Sequence, residues 1–130
     1  MKKVLLALAA LAFSQQAQAL SITPLVDEGV TFMDKKVVIV TVANAYRSPL
    51  DIVVEPFEPD LITPAFGVKL RTTKLNLGPN GRRRMRVIFD VPEDDREIAI
   101  CVRTEIANEE MVIPRVCGRY YARRIGTGPR

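Results

Sequence analysis

Apolar residues recur at every second position in four separate stretches of this chain: Val38, Val40 and Val42; Leu50, Ile52 and Val54; Met85, Val87, Phe89 and Val91; and Ile98, Ile100 and Val102. Period two places one set of side chains on one face of an extended strand. No long stretch keeps the 3.6-residue period that an amphipathic helix needs. Turn chemistry punctuates the strands: Asn44 to Pro49, Pro56, Gly78-Pro79-Asn80-Gly81 and Pro92 to Asp95. Asn and Gly accept positive φ, and Pro presets the first corner of a turn. A further strand is expected over Val68 to Leu77. Short strands at this spacing predict a single all-β sandwich, immunoglobulin-like, of about seven strands.

The N-terminus reads as an export leader. Lys2 and Lys3 precede an apolar run from Val4 to Phe13, and Ala17-Gln18-Ala19 supplies the small residues of a cleavage site. The run falls short of the roughly 20 apolar residues that span a bilayer. Residues 1–19 are therefore expected to be removed, 20–125 to form the domain, and 126–130 to be a flexible tail. Removing the leader's two lysines from the 19 basic residues leaves 17 against 15 acidic, a net charge of +2. That balance does not call for nucleic acid. The cations are clustered, in Arg82-Arg83-Arg84-Met85-Arg86 and again in Arg115, Arg119, Arg123, Arg124 and Arg130.

Cys101 and Cys117 are the only cysteines. Export to an oxidising compartment makes one disulfide the default, the alternative being two buried free thiols. Zinc is excluded as a structural ion because such sites want about four Cys or His ligands, and histidine is absent. The antibody-type arrangement is excluded too. It carries one cysteine on each sheet and a Trp between them, whereas here both cysteines lie near the C-terminus and Trp is absent.

If the cysteines are directly opposed on neighbouring antiparallel strands, Arg103 opposes Arg115, Ala107 opposes Met111, and Asn108-Glu109-Glu110 is the connecting loop. With Ile98, Ile100 and Val102 turned to the core, Cys101 faces outward, so the bridge links two strands of one sheet. Arg103, Arg115 and Arg119 then share the outer face. Like charges opposed in a sheet are unfavourable, and two readings stay open. The guanidinium groups splay into water or pair with Glu105, or they form a site for an anion such as a carboxylate. Pro114 belongs on an edge strand or at a bulge, and an open edge beside a cationic face suits a partner that adds a strand.

Four stretches together resemble the N-terminal domain of the PapD-like periplasmic pilus chaperones. VVIVTVANAYRSPLDIVV resembles that family's second and third strands, and VKLRTTKLNLGPNGRRRMRVIF its leucine, proline-glycine and basic-strand segment. EIAICVRTEI resembles the F strand and VCGRYYARRI the end of the G strand. The resemblance implies a PapD-like immunoglobulin fold and, as in part of the family, a cysteine pair joining the F and G strands. It implies a subunit-binding strand at Met111, Val112 and Ile113, where Pro114 and Arg115 interrupt the apolar alternation. It further implies a carboxylate anchor at Arg119, with Arg103 or Arg115 in place of the family's first-strand arginine. That position falls near Glu28 or Gly29, and this chain has no arginine there.

The function so implied is that of a periplasmic chaperone or accessory protein of pilus or surface-protein assembly. Its partners would be pilus or other secreted subunits and an outer-membrane usher. The alternative is an exported pilin-like or structural β-sandwich component of an envelope complex. An enzyme is not expected: without histidine there is no Ser-His or Cys-His nucleophile pair, and Glu93-Asp94-Asp95 reads as a solvated loop. No metal and no cofactor is expected. The leader is expected to be cut between Ala19 and Leu20. N-terminal sequencing of protein from a periplasmic extract should begin at Leu20, and a mature chain beginning at Met1 would contradict this.

Overall fold

The computed structural model describes residues 20–105 and 115–126. Among these residues are nine strands: β1 Leu20–Thr23, β2 Val26–Thr31, β3 Lys35–Asn44, β4 Leu50–Phe57, β5 Val68–Leu70, β6 Lys74–Leu77, β7 Arg82–Asp90, β8 Asp95–Thr104 and β9 Val116–Arg124. They form a four-stranded sheet in the order β1-β3-β7-β5 and a five-stranded sheet in the order β2-β9-β8-β4-β6. The alternating apolar sets all point between the sheets. Val38, Val40, Val42, Ile52, Val54, Val87, Phe89, Val91, Ile98, Ile100 and Val102 are buried in one core.

Seven strands become nine because two of them break and change sheets. Corners of this kind let one chain serve both layers of a sandwich. LSITPLVDEG, where the resemblance places a single first strand, holds β1 and the start of β2. β1 pairs antiparallel with β3, the chain bends at Pro24, and β2 pairs parallel with β9. The strand expected over Val68 to Leu77 is likewise split. β5 pairs with β7 in one sheet, and β6 pairs with β4 in the other.

Two buried polar side chains hold these crossings. Asn44, 1% exposed, donates from its amide to the carbonyls of Ser48, Leu77 and Gly78, and its side-chain oxygen accepts from the Tyr46 N–H. It thereby joins the β3–β4 turn to the β6–β7 turn. The latter is closed by a Gly81 N–H to Gly78 carbonyl bond of 2.9 Å. Pro79 and Asn80, with φ of 58° at Asn80, occupy the corners of a type II turn. Tyr120, on β9, is fully buried, and its hydroxyl donates to the Pro24 carbonyl at 2.8 Å. Burial, helped by the carboxylate of Asp27, pushes that hydroxyl far above its ordinary range, so it remains a donor.

Gly118 makes room for this contact. A Cβ there would collide with the Tyr120 hydroxyl and crowd the Pro24 carbonyl. At the other end of the sandwich Arg96 is a third crossing point, its side chain 8% exposed. It donates to the carbonyls of Asp90 and Phe66, pairs with Glu58 at 3.1 Å and lies over the Phe66 ring. The β4–β5 connection is thus held against the β7–β8 turn.

Tyr120→Phe should lower unfolding free energy by about 1–3 kcal/mol, the cost of leaving the Pro24 carbonyl without its donor. Gly118→Ala should also destabilise. The double variant should lose less than the sum, because the phenylalanine removes the hydroxyl that the new methyl meets. Urea titration of the three variants checks this, and strict additivity would contradict the packing described.

Candidate functional site

The candidate site lies on the outer face and free edge of the five-stranded sheet, where β8 and β9 meet. Cys101 and Cys117 are directly opposed, with Val102 opposite Val116 and Ile100 opposite Gly118. The two cysteines are joined in a disulfide, Cα to Cα 4.0 Å, so the bridge staples neighbouring strands of one sheet. Cys101 points away from the core, as expected, yet is only 1% exposed. β8 is the central strand of its sheet. Glu55 of β4 stands opposite Cys101 and Phe57 opposite Ala99, and flanking side chains cover the strand's outer face.

The three arginines sit in different environments. Arg103 donates from Nε to Glu55 at 2.6 Å, a partner on β4 rather than Glu105, which pairs instead with Lys74. Arg115 stands over the Phe57 ring, 5.0 Å from its centre, a cation–π contact. Arg119 is exposed and makes no ion pair among the described residues. Four residues separate Arg115 from Arg119 along the strand direction, about 13 Å, so the two do not grip one carboxylate. Among the three, Arg119 alone offers an uncommitted guanidinium. Met111, Val112 and Ile113 lie outside the described residues. Among the described residues no group of acidic or cysteine side chains could hold a metal ion.

The edge of β9 is not open along its whole length. β2 covers it from Arg119 to Arg124, with Val26 beside Arg119, Glu28 beside Tyr121 and Val30 beside Arg123. The ladder begins with the Arg119 N–H donating to the Leu25 carbonyl at 2.7 Å. Strand alternation turns the peptide groups of Cys117 to that same side, but no described strand pairs with Val116 to Gly118 there. The open stretch is short, and it is bordered by Leu25 and Val26, 54% and 64% exposed. Sequence reasoning missed this border because Pro24, a residue that ends strands, conceals the β2 ladder beyond it.

No protein-family profile matches the chain, and no curated protein matches it. Solved structures do. The Escherichia coli chaperone DraB superposes with a TM-score of 0.61 at 16% identity, over 81% of this chain and 55% of DraB. The sandwich has the PapD-like fold. A Salmonella enterica structure of the SafA pilin in complex with the SafB chaperone matches at a TM-score of 0.61 and 12% identity, over 85% of this chain and 56% of the matched one. The chain thus spans a little over half the length of these chaperone structures. A PapD-like domain of human CEP192 matches at a TM-score of 0.63 and 10% identity, over 86% of this chain and 89% of that domain. Likeness at these identities is likeness of fold, and one fold serves unrelated functions. No helix among the described residues is long and apolar enough to cross a membrane.

Reduction of the disulfide should cost about 3 kcal/mol of stability in the chain-entropy account. Mass spectrometry of unreduced peptides from protein produced in an oxidising compartment should find Cys101 joined to Cys117. Two thiols open to alkylation under native conditions would contradict the staple.

Proposed function

We propose that this chain is a periplasmic chaperone or accessory protein of pilus or surface-protein assembly that binds subunits through its last strand without catalysis. The observation that carries the reading is the partly covered edge of β9. β2 closes the edge from Arg119 onward, and among the described residues the peptide groups of Cys117 stay unpaired on that side, next to the exposed apolar side chains of Leu25 and Val26. An extended subunit segment would add there as a strand, taking main-chain hydrogen bonds for affinity and side-chain contacts for selection. The disulfide holds this part of β9 to β8, so the edge stays extended before the subunit arrives, which lowers the ordering cost of binding.

Arg119 sits where the open edge meets the covered one. A subunit strand pairing along Cys117 and running toward β2 would be stopped by the β2 ladder, and a carboxylate ending there would lie beside Arg119. A charge-assisted bond to that carboxylate fixes the register as well as adding affinity. The pilin structure solved with its chaperone, SafA with SafB, makes pilus subunits the first partners to try, with an outer-membrane usher as a further one. Met111, Val112 and Ile113 would extend the binding strand N-terminally.

Arg119→Ala should leave the fold within about 0.5 kcal/mol of wild type, as expected for an exposed side chain. It should weaken subunit binding by the roughly 2–5 kcal/mol lost when one partner of a buried charged contact is removed. Arg123→Ala, exposed on the same face, is the control. Thermal melts and co-purification of pilin subunits from the same organism give both readouts. Equal loss of binding in the two variants would mean general charge attraction, and undiminished binding by Arg119→Ala would overturn the anchor.

A further inference from the structure

The opposite sheet carries a second open edge. β7 pairs with β3 along its whole length, but with β5 only at Val87 to Phe89. β5 ends at Leu70, and the chain then leaves for the other sheet, where β6 pairs with β4. No described strand flanks Arg82 to Arg86 on that side. Hydrogen-bond alternation defines what is exposed. The Asn44 N–H donates to the Gly81 carbonyl at 2.9 Å, so Arg83 and Met85 turn their peptide groups to β3, while Arg82 and Arg84 turn theirs to the open side.

A groove of about 590 Å³ lies along this edge. Ile39, Leu70, Met85 and Ile88 supply its apolar lining, and Lys69, Arg71, Arg84 and Arg86 its cations. None of those four cations forms an ion pair among the described residues. Arg84 and Arg86 project from the same face of one strand, and Lys69 stands opposite Ile88 on the neighbouring one. Uncompensated like charges at this spacing oppose folding. Here they also border unpaired peptide groups, an arrangement that repels basic strands and attracts acidic ones.

We propose that this edge is a docking site for an acidic, extended polypeptide segment, which adds to β7 in line with β5. Its carboxylates alternate with apolar residues, so that one face meets Arg84 and Arg86. An anionic membrane surface is the less fitting partner, because lipid headgroups are not needed to satisfy a row of peptide N–H and C=O groups and a strand is. The site is on the other sheet from Arg119 and does not depend on the reading of β9.

The test uses the mature chain and a fluorescent peptide of alternating Glu and Val, about eight residues long to match the open edge and its flanks. Anisotropy at low salt should show binding that weakens with added salt. Arg84→Glu with Arg86→Glu should weaken it at least about tenfold, with circular dichroism confirming that the variant is folded. N-methylation of alternate peptide amides keeps the charge and removes edge pairing, and should weaken binding to the unaltered protein by a similar factor. Equal binding of the N-methylated peptide would overturn strand addition. Absence of peptide binding, or Arg84- and Arg86-dependent sedimentation with phosphatidylglycerol vesicles in its place, would overturn the proposal. Arg119→Ala should leave peptide binding unchanged.

Discussion

One hydrogen bond, from the buried Tyr120 hydroxyl to the Pro24 carbonyl, decides how the two sheets share the first strand. Pro24 offers no N–H to either ladder, so the chain breaks there, and its carbonyl needs a donor inside the sandwich. Tyr120 supplies that donor, reaching along β9 over a position where only Gly118 leaves space. Once the break is pinned, β1 lies on β3 and β2 lies on β9 in parallel. The same pin fixes where the β2 ladder starts, and therefore how much of β9 remains open. The first break in the fold and the border of the candidate site thus meet at one contact.

The two sheets use the same device in different ways. In the five-stranded sheet a broken strand arrives and covers most of an edge, leaving a short opening beside exposed Leu25 and Val26. In the four-stranded sheet a broken strand departs after Leu70 and leaves the edge of β7 to a row of arginines. Apolar borders suit a partner that is desolvated on binding, whereas cationic borders suit one that brings charge. The disulfide lies on the first edge, where no described strand flanks β9 at Cys117 on the side away from β8. Cross-linking to β8 supplies locally what sheet pairing supplies elsewhere.

Most of the inner core was legible because a side-chain period of two leaves little freedom once one face is buried. The valines of β3 and the apolar set of β7 follow from that rule, whereas the β8–β9 register came from placing Cys101 opposite Cys117, where the structure has them. The breaks were not legible. Proline signals an interruption but not the sheet that the chain joins next, and nothing in Arg71-Thr72-Thr73 marks a change of layer. Arg96 was equally hidden: nothing in Asp95-Arg96-Glu97 marks it, yet its side chain is buried and donates to the carbonyls of Asp90 and Phe66. Arg103 shows a related limit. Its partner, Glu55, is 48 residues away in sequence, so a charge that seemed free on the hairpin is neutralised by a strand that the hairpin alone does not reveal.

Amide hydrogen exchange along β9, read residue by residue by NMR in the free protein, tests this account most directly. Arg119, Tyr121 and Arg123 turn their N–H groups to β2, and Cys117 turns its own to the same side beyond the end of that ladder. Protection should be strong at Arg119 and Tyr121, and exchange at Cys117 faster by about two orders of magnitude or more, as for an edge amide without a partner. Equal protection at Cys117 and Arg119 would mean that the edge is already occupied, and the binding site built on it would be wrong.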